Sequence, residues 1–179
     1  RVLFRSSQFQ YQKIRLQVYD YIYFGNFGHT YYNMEAGKIW GAVPYPLLEV
    51  HKGNETYTYS SDLFNLMNYF EFISDEFFSA MAVHHFDGFF LDHIPLLKKL
   101  KLREVATADF LIGTIGNDNR TILADPSAFY TLSKPYIEAG VGVENILKIG
   151  RVDLIKRFSF LDHPRISDVG FRFSFYVSF

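Results

Sequence analysis

The sequence predicts an all-β chain, an antiparallel up-and-down meander of about seven long strands forming the C-terminal part of a transmembrane β-barrel. Three observations predict it. The stretch from Gly170 to Phe179 places Phe171, Phe173, Phe175, Val177 and Phe179 on one face of an extended strand, and Arg172, Ser174, Tyr176 and Ser178 on the other. Such an apolar edge invites aggregation in water, whereas in a barrel its apolar face meets lipid and its polar face the lumen. Aromatic residues make up 19% of the chain, carried by 20 Phe and 13 Tyr, and these favour strands and the interfacial girdles of membrane barrels. The connections between strands alternate short and long, as short periplasmic turns and longer outer loops do.

The elements follow in order. From Phe9 to Phe24, Lys13, Arg15, Gln17, Tyr19 and Tyr21 share one face and Ile14, Leu16, Val18 and Ile22 the other, with Asp20 the exception. Gly25-Asn26-Phe27-Gly28 makes a tight turn, its Gly and Asn supplying positive φ. A second strand runs from His29 to Val43 and stops at Pro44-Tyr45-Pro46. A long irregular loop, 44–69, follows, extracellular or inserted into the lumen; Asp62 is placed to cap a short helix over Leu63 to Met67. Strands are then expected over Glu71–Leu91, Leu102–Ile115, Tyr136–Ile146 and Arg151–Leu161, before the terminal one. A short basic connection spans Ile94–Lys101, a polar loop runs from Gly116 to about Lys134, and a tight turn lies near Lys148 to Gly150.

Length, charge and cysteine content narrow the functions. The 179 residues suit one domain, and a net charge of −1 leaves no electrostatic footprint for nucleic acid. The absence of cysteine excludes a disulfide framework and a thiolate metal site, and suits an oxidising periplasm. No apolar stretch is long enough for a transmembrane helix, and no signal peptide is visible. Residues 1–6, Arg1-Val2-Leu3-Phe4-Arg5-Ser6, look like a translated sequencing adapter, so 7–179 is expected to be a partial barrel from a longer protein whose leader lies upstream.

Little chemistry stands out. His84, His85, Asp87, Asp92 and His93 are the densest group of possible metal ligands, but adjacent histidines on a strand point to opposite faces, and no metal or cofactor is assigned. No nucleophile-elbow motif and no phosphate-binding glycine loop occurs, so no catalysis is expected. Asn54-Glu55-Thr56 fits a glycosylation sequon. Arg15, Arg103, Glu138, Glu144, Arg151, Asp153, Arg157 and Arg172 fall mostly on polar strand faces, where opposite signs on neighbouring strands are expected to pair. Lys52 and Gly53 are expected to tuck the long loop against that wall, with Lys52 near Glu138, Glu144 or Asp153.

The second half resembles the end of a BamA-type barrel, the superfamily of outer-membrane assembly and secretion pores. Ala139-Gly140-Val141-Gly142-Val143-Glu144 followed by Ile149-Gly150-Arg151-Val152-Asp153 is similar to a glycine-rich strand, tight turn and Arg-x-Asp-like strand near the end of those barrels. The resemblance implies that Phe171, Phe173, Phe175 and Phe179 form the signal read by the barrel-assembly machinery, and that 44–69 occupies the place of a lumen-inserted loop. The chain departs from the superfamily there: His51-Lys52-Gly53-Asn54 stands where those factors carry an Arg-Gly-aromatic motif.

More closely, Pro44-Tyr45-Pro46-Leu47-Leu48, Asn65-Leu66-Met67-Asn68-Tyr69, Ile94-Pro95-Leu96-Leu97-Lys98-Lys99-Leu100 and Gly142-Val143-Glu144-Asn145-Ile146 are similar to an uncharacterised bacterial outer-membrane family. Its longer members carry an N-terminal carboxypeptidase-regulatory-like domain. These resemblances imply a pore, assembly or translocation protein in the outer membrane of a Gram-negative-type bacterium, with membrane lipid as a partner. The alternatives are the last strands of a nutrient-uptake receptor barrel and a soluble all-β binding module; the module requires another layer of the chain to cover the Phe face of the last strand.

Overall fold

Period-two alternation of apolar and polar residues sets one large sheet. A computed structural model describes residues 10–122 and 130–175. Strands β1 (Gln12–Tyr23), β2 (His29–Trp40), β5 (Glu76–His85), β6 (Arg103–Thr114), β7 (Tyr136–Ile146), β8 (Gly150–Arg157) and β9 (Val169–Phe175) form a 7-stranded sheet in the order β1-β2-β5-β6-β7-β8-β9. Every pairing is antiparallel. A small second sheet pairs β3 (Glu49–Val50) with β4 (Ile73–Ser74). Two short helices, α1 (Pro95–Leu100) and α2 (Asn117–Ile122), lie in connections.

The register makes each face continuous. Val18 stands opposite Met34, Met34 opposite Ala80, Ala80 opposite Phe110 and Phe110 opposite Ile137. The other face carries Arg15, Glu35, Ser79, Asp109, Glu138, Arg157 and Arg172. Burial runs opposite to that of a water-soluble sheet. Ser79, Thr107, Asp109, Glu138, Asp153, Arg157 and Arg172 are buried, while Ile14, Leu16, Val18, Phe78, Ile112, Val141 and Leu154 are exposed. Phe171, Phe173 and Phe175 are 59%, 42% and 81% exposed, so no second layer of described chain covers them. Residues 41–75 provide the cover on the polar side, and their own core joins Phe64, Met67 and Phe72 to Phe77, Leu111, Tyr136 and Phe160 of the sheet and its loops. The charged residues on the apolar face, Lys38, Glu76, Glu104 and Lys156, sit near strand ends; Asp20 alone lies further in.

Several expectations need correcting. The strand expected over Glu71–Leu91 ends at His85, because Asp87 at φ 55° and Gly88 at φ 90° turn the chain away. The connection expected to be short therefore spans 86–102 and contains α1. No helix forms over Leu63 to Met67; Asp62 instead accepts hydrogen bonds from Tyr31 Oη (3.4 Å) and Asn33 Nδ2 (3.3 Å). The strand expected to reach Leu161 ends at Arg157, ahead of Phe160 at φ 55°. Residues 1–6, assigned to an adapter artefact, and Phe179 lie outside the described residues.

Candidate functional site

The polar face and the segment 41–75 fit together through buried charges. Glu138, fully buried on β7, accepts the backbone N–H groups of Asn65 (2.5 Å) and Leu66 (2.9 Å) and the Tyr136 hydroxyl (2.6 Å). A carboxylate is the group for this position, since it accepts several hydrogen bonds and a charged acceptor strengthens each.

Arg157 is the second anchor. Its guanidinium meets Glu71 in a two-pronged pair, Nη1 to Oε2 at 3.0 Å and Nη2 to Oε1 at 2.6 Å. The remaining donors go to the carbonyls of Ser159 (2.8 Å), Leu66 (3.2 Å) and Phe160 (3.1 Å), and the cation lies 4.8 Å over the Tyr136 ring. All five guanidinium N–H groups have acceptors, the condition under which a buried cation is tolerated. Burial alone would raise the Glu71 carboxyl, but hydrogen bonds from Arg157, the Asn68 N–H and His163 outweigh it and hold it below the usual range.

Further contacts pin the segment elsewhere. Arg172 donates through Nη2 to the carbonyls of Asn65 and Asn54. Arg151 is held in plane by Asp153, with Nε to Oδ2 at 2.8 Å and Nη2 to Oδ1 at 2.7 Å, and lies 4.1 Å over the Tyr59 ring of the segment. Gly142 faces Asp153, where a Cβ would collide with the carboxylate. Glu49 receives Lys13 (3.0 Å) and Arg15 (3.2 Å) from β1. His51 shares a 2.7 Å hydrogen bond with Ser74, and burial, then the nearby Arg15 cation, push its imidazole down to about 3. Tyr57 and Tyr59 add to the outer edge of β9, with Phe173 N donating to Tyr57 O (2.8 Å) and Tyr59 N to Phe173 O (2.9 Å).

The expected site residues distribute as follows. Gly53 is buried, and a Cβ there would collide with the carbonyls of Met67 and Asn68, so glycine permits the segment to cross itself. Lys52 is exposed; its carbonyl, not its ammonium, makes the contact, accepting Phe64 N–H at 3.0 Å. The carboxylates expected to meet Lys52 have other partners: Glu138 holds the backbone at Asn65 and Leu66, Glu144 holds His85 (3.0 Å), and Asp153 holds Arg151.

The expected pairing between neighbouring strands forms where Arg15 of β1 meets Glu35 of β2, and takes another form at Glu138 and Arg157. Glu138 and Arg157 are register partners, yet each turns to the segment. Asn54 of the sequon is buried, its amide donating to Thr58 O (2.7 Å) and Asn65 Oδ1 (3.0 Å), so it presents no accessible acceptor. His84 and His85 lie on opposite faces, the first beside Thr30 and the second beside Glu144. The reading of the sequence missed Glu71, Asn65, His51 and Tyr59, whose partners lie far away along the chain.

Fold and site together define an all-β chain whose antiparallel sheet turns a polar, charge-lined face inward onto its own long segment. The chain belongs to the family of unknown function DUF5686, whose C-terminal domain model matches residues 3–118, from ahead of β1 to the start of α2. Glu138, Arg157 and Arg172 lie beyond the matched residues. No curated protein and no solved structure matches the chain.

Proposed function

We propose that this chain forms wall strands of an outer-membrane β-barrel of pore, assembly or translocation type, related to the BamA-type barrels and without catalysis of its own. The observation that carries the proposal is the inverted burial: charges inside, aliphatic and aromatic side chains outside, in register across the sheet. Water gives no reason to leave such a face bare, whereas hydrocarbon makes it the favoured one. The open edge of β1 pairs with a neighbouring strand in the closed barrel, because unpaired edges do not persist in hydrocarbon, whereas the outer edge of β9 is already met at Phe173 by Tyr57 and Tyr59. In this reading, 41–75 is a lumen segment that narrows the pore, and Glu138, Arg157 and Arg172 fix its position.

Fractionation tests the proposal. The full-length protein, expressed in a Gram-negative host, stays with the membranes through alkaline carbonate and urea washes and runs faster on a denaturing gel when unheated. Recovery in the aqueous fraction with no heat-dependent mobility rejects it.

A further inference from the structure

The three connections at one end of the sheet, 24–28, 86–102 and 147–149, carry a surface that the wall and its inner segment do not use. Phe24 and Phe27 in the first, Phe90, Leu96 and Leu100 in the second, and Leu147 in the third are all exposed. The first two connections share an aromatic cluster, with Phe27 4.7 Å from Phe89 and 5.5 Å from Phe86, and Phe89 5.0 Å from Phe90. The third is tied to the second by Asn145 Nδ2 donating to Lys101 O at 2.6 Å.

Beside this apolar rim stand Lys98 and Lys99 in the last turn of α1, whereas Lys101 and Lys148 border the polar-face cavity with His85, Arg103 and Glu144. No carboxylate partner for Lys98 or Lys99 occurs among the described residues. The acidic groups nearby are mostly engaged: Asp87 pairs with Arg103 (3.2 Å) and His29 (3.1 Å), and the Glu104 carboxylate accepts Leu91 N–H, which leaves Asp92.

We infer that this rim is an interfacial anchor, with α1 lying in the headgroup layer: its leucines enter the acyl boundary and Lys98 and Lys99 bind the phosphates of anionic phospholipids. This rests on the membrane reading above and adds a lipid class to it. The occupant follows from complementarity. Aromatic and leucine side chains beside free ammonium groups match the boundary between acyl chains and anionic headgroups, and the surface rings the end of the apolar face where that boundary falls.

Two environment-sensitive fluorophores test it in the protein reconstituted in bilayers, one on Leu96→Cys and one on Phe171→Cys. In phosphatidylcholine containing phosphatidylglycerol, the probe at 96 shifts to the blue and is quenched by shallow rather than deep lipid-borne quenchers. Replacing Lys98→Gln and Lys99→Gln together lowers the ratio of anchored to free probe at a fixed phosphatidylglycerol fraction about 25-fold, roughly fivefold per lysine. Inorganic phosphate added to pure phosphatidylcholine vesicles leaves the probe unchanged.

If the probe at 171 reports hydrocarbon while that at 96 stays in water, the anchor is wrong and the barrel stands. A water signal at 171 removes both. A shift at 96 driven by free phosphate, or one insensitive to the lysines, overturns the lipid assignment.

Discussion

Arg157 and Glu71 show what a single residue does in this chain. The pair is buried, and each member also holds backbone of the segment or of the loop after β8. Arg157→Met leaves Glu71 without its main partner inside the protein, so the fold should lose about 3–5 kcal/mol, read as a lower denaturation midpoint in detergent. The double change with Glu71→Leu should recover much of that loss, since it removes the stranded charge. Glu138→Gln should raise amide exchange at Asn65 and Leu66, because a carboxamide offers one acceptor oxygen for two N–H groups, while Lys52→Glu should leave them unchanged.

His51 supplies a pH dependence. Its folded value, about 3, lies below the ordinary 6.5, so neutral His51 favours the packed segment fully above pH 6.5, and that contribution is lost as pH falls from 6.5 toward 3. Exchange protection at His51, whose N–H donates to Phe72 O at 3.1 Å, should fall through that window after correction for intrinsic rates, and His51→Gln should remove this component. Glu138 and Arg151 were legible as polar-face residues from strand alternation, but Gly53 meets its own segment and Asp153 reaches the segment only through Arg151, and Lys52 misled: a cation in a loop suggests an ion pair, but its backbone carries the contact.

Among the elements, strands read best where alternation is unbroken. Tyr136–Ile146 matches its expected bounds, and β1, β2 and β6 differ from theirs by a few residues at the ends. The misses share a physical cause. Asp87, Lys101 and Phe160 adopt positive φ without being glycine, so the turns they make leave no clear mark in the sequence. Residues 86–91 read as strand because Phe86, Phe89, Phe90 and Leu91 are apolar side chains of the kind that also fills a buried strand.

Phe173 joins two roles, its side chain on the apolar face and its backbone bonded to Tyr57 and Tyr59 of the segment. Phe171→Arg should cost about 2–4 kcal/mol of folding free energy in bilayers if it lies near the midplane, and far less for the same protein in water. The measurement is denaturant titration into lipid vesicles.

At the scale of the whole molecule, the chain hides its charges and shows its hydrocarbon side chains. The sequence made the alternation legible and pointed to the polar face as the covered one, but not which residues of 41–75 would cover it, because the irregular segment carries no periodic signal. The direct test is to ask which solvent each face meets. The chain has no cysteine, so single cysteines at Phe171, Arg172, Phe173 and Ser174 can each carry a spin label in the protein reconstituted in bilayers. Oxygen, which concentrates in hydrocarbon, should relax the labels at 171 and 173 strongly and those at 172 and 174 weakly. A water-soluble nickel chelate that reaches 171 and 173 as freely as a label at the exposed Asp162 would contradict the account.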